Sequence, residues 1–402
     1  MRLFDAPHRA FFLAGLVQVL LALALWSLWL AGAFASAYRL PPLPVSAIAV
    51  HGFLMVYGIF PFFIFGFLTT TYPRWMQTEA LSRSDYRGPV VLRVTGLAAV
   101  YLGLILGRPE LAAATVIMAI GDAWLALNLV RVYRRARVAA RRGIMVFNVS
   151  IAAEILGLLL YGGGFYEAST PLVTLAVHVG LFLFLAPTLL GVAYRMIPFF
   201  CAQALPSYQR PIQSPNAPLA FLAGMATHLA LTLWHAPLAR AAVDGALAVG
   251  AWYYLWLWFR PDVIREGLLL LLFIGFSWLG GAYALYALRD LAQAFDLFVM
   301  GRAPLHALGL GFALSLVVAM VTRVARGHSG RTLHSDQVSW IALIGVQVAA
   351  FLRIAAAFPV VDRLATINLS VIAAPVAVLM LMPWALRYSY IVLTPRLDGR
   401  PG

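Results

Sequence analysis

The sequence predicts an all-α polytopic membrane helical bundle, with about twelve transmembrane helices and both termini cytoplasmic. Three observations predict it. The 402 residues are 63% hydrophobic and only 11% charged, whereas a soluble chain carries about 25% charged residues. Mean hydropathy is +0.88. Apolar stretches of about 17–25 residues follow one another along the chain, each long enough to cross hydrocarbon. No soluble domain or low-complexity tail interrupts them, so residues 1–402 read as a single transmembrane domain.

The first span, 9–32, follows Arg2 and Arg9 and holds an apolar run from Phe11 to Leu30. No small-residue cleavage site follows it, so it reads as a retained helix and not a signal peptide. Pro41-Pro42-Leu43-Pro44 separates it from the second span, 45–70, because proline cannot continue a helix. Spans three and four cover 90–106 and 110–131. Six arginines between Arg131 and Arg142 divide them from span five, 144–164. Gly162-Gly163-Gly164 then leads to span six, 171–194. The proline-rich stretch Pro206 to Pro218 precedes span seven, 217–234. Spans eight to twelve cover 239–258, 268–288, 304–325, 338–357 and 368–390.

The formal charge of +14 is carried by arginine, with no lysine. These arginines flank apolar segments, which points to topology and anionic lipid and away from nucleic acid. Arg131, Arg134, Arg135, Arg137, Arg141 and Arg142 share a side with Arg74, Arg83, Arg87, Arg210, Arg260, Arg265, Arg323, Arg326, Arg331, Arg396 and Arg400. The opposite side holds only Arg39, Arg108, Arg240, Arg289, Arg302 and Arg363. The positive-inside rule then places both termini in the cytoplasm and favours an even number of spans. Cys201 is the single cysteine, which excludes an intrachain disulfide and a cysteine-based iron–sulfur or zinc site.

Four histidines lie inside apolar segments: His51, His178, His228 and His306. Ionisable side chains in hydrocarbon are costly and mark candidate functional sites. On the orientation above, all four fall in the outer half of the bilayer. His51 and His178 lie about 9 Å and about 10 Å below the outer edge at 1.5 Å per residue. His306 lies near the start of span ten. His235 is seven residues after His228, on nearly the same helix face if the helix continues. Arg353 falls in the outer third of span eleven. Histidine is the commonest metal and haem-iron ligand. Two neutral imidazoles can clamp a haem iron, and a buried arginine can neutralise a propionate. The competing account of each single histidine is a hydrogen bond to a neighbouring helix.

Met55, four residues after His51, is a candidate axial thioether or a core-packing residue. Asp122, Glu154, Asn128 and Asn148 in spans four and five read as buried polar pairs that pin helices, with a proton path as the alternative. Trp252, Trp256, Trp258, Trp384 and Tyr388 read as an inner interfacial belt. Glu167 and Asp296 read as solvated outer-loop carboxylates. No Walker loop, dinucleotide fingerprint or nucleophile–base signature is present.

The segment His306-Ala307-Leu308-Gly309-Leu310-Gly311 through Met320-Val321-Thr322-Arg323-Val324-Ala325-Arg326-Gly327-His328-Ser329-Gly330-Arg331 resembles the NnrS family. Arg195-Met196-Ile197-Pro198-Phe199-Phe200 looks like that family's Arg-x-Ile-Pro-x-Phe element. His51 with Met55, Gly58, Gly66-Phe67-Leu68, Thr70, Pro73 and Trp75 is a third match. Arg353 and the early Arg9-x-Phe11-Phe12-Leu13 extend the resemblance over nearly the whole chain. The family consists of bacterial twelve-span inner-membrane proteins, described as containing haem and copper and linked to nitric oxide and nitrosative stress. The resemblance therefore implies haem b and copper here, in an inner-membrane protein whose ligand is nitric oxide or a related small molecule. One departure stands out. The family reads His-x-His-Glu-Met in span two, whereas this chain has His51-Gly52-Phe53-Leu54-Met55. The second histidine and the glutamate are absent.

A more distant likeness is architectural. Histidines on spans two, six, seven and ten resemble the catalytic subunit of haem–copper oxidases, although the paired histidines of that family on spans seven and ten are missing. Fold likeness does not set function. The leading expectation is a haem-binding membrane protein that responds to nitric oxide. It assigns His51 and His306 as axial ligands and Arg353 to a propionate, with Met55 near the iron. Copper falls to His178 with His228 or His235. The rival expectations are a haem–copper-type oxidoreductase subunit with an unknown redox partner, and a transporter of two six-helix halves. No half-to-half repeat supports the latter.

Overall fold

Helix ends are set by proline, glycine and capping side chains wherever the apolar pattern runs on without a break. The computed structural model describes residues 3–34, 41–136, 138, 141–297, 300–358 and 368–397. Among them, helices stand where twelve spans were expected: α1 Pro7–Phe34, α2 Ala47–Trp75, α3 Arg83–Leu106, α4 Arg108–Arg134, α5 Arg142–Tyr166 and α6 Thr170–Ala204. They continue with α7 Ala217–Leu233, α8 Pro237–Trp258, α9 Gly267–Ala294, α10 Ala303–His328, α11 Gln337–Ala355 and α12 Leu369–Leu393. Ten of these are long and apolar enough to cross a membrane on length and hydropathy alone. The other two are α7, which is only 17 residues long, and α8, which carries Arg240 and Asp244. The protein is a multi-pass helical membrane protein.

The largest shift at a helix start is at α3. The apolar pattern starts near Val90, but the helix starts at Arg83. Ser82 and Asp85 form a reciprocal capping box that satisfies the first free N–H groups. Arg93 therefore sits well inside a span, not at its edge.

The chain clusters into two compact units. The first contains residues up to Ala22, Gly32–Thr188, and the segment from Val392. In it α3 packs on α4, α4 on α5, and α5 on α6, while α2 packs against α6. Asn128 donates to the Asp85 carbonyl at 2.7 Å and Tyr72 donates to Asn148 at 3.0 Å. Both asparagines thus pin neighbouring helices, as expected. Arg9 at the head of α1 donates to the Thr394 carbonyl just past α12, at 3.1 Å. The two ends of the helical array lie side by side, which requires an even number of crossings.

The second unit contains Leu23–Ala31 and Leu189–Ile391. There α7 and α8 form a pair, α8 packs on α9, and α10 packs on α9 and α11. Asp336 caps α11, accepting from the Ser339 backbone N–H at 3.1 Å. It also binds Arg326 of α10 at 3.1 Å and Tyr388 of α12 at 3.2 Å. One carboxylate thereby ties three helices together.

Two expectations need correction. Trp252 and Trp256 are exposed, as a belt requires, but Trp258, Trp384 and Tyr388 are fully buried. Their polar atoms reach protein partners: Trp258 donates to Gln213, Trp384 to Thr322 and Tyr388 to Asp336. Arg240 and Arg289 are not free loop charges, because both bind the buried carboxylate of Asp290. Glu167 and Asp296 are exposed, as read. Arg39, Arg137, Arg363 and Arg400 lie outside the described residues.

Candidate functional site

Three of the four intramembrane histidines sit at the entrance of a π-helical segment. Leu54–Ile59 follows His51, Gly180–Leu185 follows His178, and Ala307–Leu314 follows His306. Such wide turns are rare and gather at functional sites. Proline explains part of the pattern. A helical Tyr57 carbonyl would accept from residue 61, and a Leu183 carbonyl from residue 187. Both donors are missing, because these residues are Pro61 and Pro187.

In the first unit, His51 and His178 are half-buried on neighbouring helices. Glycines bring α2 and α6 together. A Cβ on Gly52 would lie 3.2 Å from Val177, the residue before His178. A Cβ on Gly180 would lie 2.6 Å from Val56 and from the Tyr57 hydroxyl. That hydroxyl donates to the Ala176 carbonyl at 2.6 Å, and Tyr161 donates to the Ala49 carbonyl at 3.2 Å. His178 also packs on Phe182, one turn on, with ring centroids 5.9 Å apart. The α-helical periodicity that places Met55 on the face of His51 ends at Phe53, where the π segment begins.

In the second unit, His306 and Arg353 meet. The His306 Nδ1 lies 2.9 Å from the Arg302 carbonyl. A carbonyl only accepts, so Nδ1 carries the proton and the lone pair is on Nε2. Arg353 Nε donates to that Nε2 at 3.3 Å. An axial haem ligand needs this tautomer, with Nδ1–H held by a carbonyl and Nε2 as the basic nitrogen. The residues fit a haem ligand provided that the Arg353 guanidinium moves from Nε2 to an anionic group such as a propionate.

His228 is buried on α7, with its Nδ1 2.7 Å from Asp244 Oδ1 on α8. Its ring packs edge-on against Tyr286 at 5.0 Å. A carboxylate behind an imidazole is a common way to orient a metal-binding histidine, and it also pins α7 to α8. His235 is not on the α7 face. The helix ends at Leu233, and His235 is exposed with a left-handed backbone (φ 53°). The seven-residue spacing from His228 therefore has no helical meaning. His178 belongs to the first unit and His228 to the second, as do His51 and His306 respectively. Among the described residues, no group of three or more histidine, cysteine or acidic side chains is placed to hold a metal ion.

The pattern of apolar segments gave no hint of Arg93 and Asp290, both buried and ion-paired, or of Asp244, buried and hydrogen-bonded to His228. Arg93 on α3 binds both Asp122 on α4 and Glu154 on α5. The capping box at Ser82 and Asp85 was the available signal, since it places Arg93 inside the span.

A family model described as NnrS protein matches residues 2–396. The chain belongs to the NnrS family. No curated protein matches it. In this NnrS chain, two of the segments that carry the resemblance meet within the second unit. The Arg323 guanidinium lies over the Phe200 ring at 4.0 Å. Arg326 then organises the turn after α10, donating to the Thr332 carbonyl at 2.9 Å and bonding His334. These NnrS residues brace helix ends, while His51 and His306 stand at π turns.

Proposed function

We propose that this NnrS-family chain is a haem-binding protein of the bacterial inner membrane that acts in the response to nitric oxide and nitrosative stress. His306 carries the proposal. Its Nδ1 is fixed on the Arg302 carbonyl, so its basic nitrogen is the one an iron would take. Arg353, already against that nitrogen, is the natural partner for a propionate. His51, at the entrance of the α2 π turn, is the other haem-ligand candidate of this proposal. Haem b would supply an iron that binds nitric oxide directly when one axial position is open or its ligand is labile. Copper is the second cofactor of this proposal, with His228 as its best-oriented ligand. The described residues offer no complete ligand set for it within either unit.

The test is an absorption spectrum with metal analysis on protein purified from haem-replete cells. A Soret band that shifts on adding nitric oxide is expected. Pure, folded protein without bound haem overturns the proposal.

A further inference from the structure

The first unit holds a charged cluster that the haem proposal does not use. Arg93, Asp122 and Glu154 come from three different helices and lie near the middle of each span. Their side chains are 0%, 2% and 0% exposed. Arg93 Nη1 binds both carboxylates, at 3.1 Å in the case of Glu154. Its Nη2 donates to the Tyr57 carbonyl, the one that Pro61 leaves without a helical donor. Phe62 and Phe65 close over the guanidinium, each ring 5.3 Å from its Cζ.

The charges do not balance. Two carboxylates face one cation, and an uncompensated charge in hydrocarbon is strongly disfavoured. One added proton makes the cluster neutral. Glu154 Oε2 is buried and meets no donor, so it has no group to stabilise negative charge there. The other titratable neighbours are the Tyr57 and Tyr161 hydroxyls, and both donate to main-chain carbonyls. Neither is turned toward Glu154 as a donor.

We propose that Arg93, Asp122 and Glu154 form a proton-binding site in the membrane interior, with the proton resident on Glu154. Asp122 stays ionised against Arg93, and Glu154 takes up or gives off the proton. The same guanidinium holds the carbonyl of the α2 π turn, so proton occupancy and the shape of that turn are linked through Arg93. The inference is independent of haem.

Infrared spectroscopy of the full-length protein in lipid tests it. Wild type at neutral pH should show the carbonyl stretch of a protonated carboxylic acid, moved by incorporation of ¹³C-labelled glutamate. Glu154→Gln should abolish that band. Asp122→Asn should abolish it too, because Glu154 alone then forms a neutral pair with Arg93 and releases the proton. A band that survives in Asp122→Asn overturns the charge-balance argument. A band that ignores the glutamate label removes Glu154 as the carrier. If the variants do not fold, wild-type protein alone decides: no protonated-carboxyl band at neutral pH sinks the proposal.

Discussion

Both ring nitrogens of His306 have partners, and the two partners do different work. The Arg302 carbonyl sets the tautomer, and Arg353 occupies the lone pair that results. If iron takes that lone pair, Arg353 becomes an outer partner of the cofactor. Outer partners of metal-bound histidines contribute roughly 10–100-fold in affinity. Arg353→Ala should therefore keep the Soret band but weaken haem retention by roughly 10–100-fold, read by haem transfer to an apo-globin. Retention equal to wild type would remove Arg353 from the site. The residue types of the site were legible in the sequence, but their partners were not. His306 and Arg353 are 47 positions apart and His228 and Asp244 are 16 apart. Only the packing of α10 on α11 and of α7 on α8 brings each pair together. His235 misled because spacing counts as geometry only while the helix lasts, and the left-handed residue ends it.

At the scale of single helices, hydrophobic length located the expected spans, since crossing hydrocarbon fixes the length of each segment. It did not locate the polar rules that act at their ends and in their middles. The Ser82–Asp85 box moved the start of α3 outward and carried Arg93 inward. Pro61 and Pro187 each remove a donor four residues after a carbonyl, and π segments occupy both places. The buried Trp258 and Trp384 looked like belt residues because position along a span does not say which face is packed. Asp336 is the clearest element-scale test. It caps α11 and also binds Arg326 and Tyr388. Asp336→Ala should cost about 1–2 kcal/mol from the cap alone. The buried Arg326 left behind adds to that loss. Asp336→Asn should recover much of the cap. A thermal melt of the purified protein compares them, and equal melting temperatures for wild type and Asp336→Ala would contradict this role.

For the whole molecule, the arginine asymmetry and the contact between Arg9 and Thr394 agree on parity. An even number of crossings puts both termini on one side, and the positive-inside rule applied to the arginine-rich stretch Arg131 to Arg142 predicts that this side is cytoplasmic. Reporter fusions after Arg135, just past α4, and after Ala168, just past α5, should report cytoplasm and periplasm respectively. A periplasmic signal after Arg135 would invert the orientation and with it the outer placement of the histidines. The histidines themselves are tested most directly by one spectroscopic comparison. Wild type, His51→Ala, His306→Ala and His334→Ala are purified side by side from haem-replete cells, and their Soret absorption is measured per protein. His334 is exposed in the turn after α10, bonded to Arg326, so His334→Ala should match wild type. His51→Ala and His306→Ala should lose or shift the band while the protein remains inserted in the membrane. A Soret band unchanged in both of those variants would contradict the assignment of haem to His51 and His306.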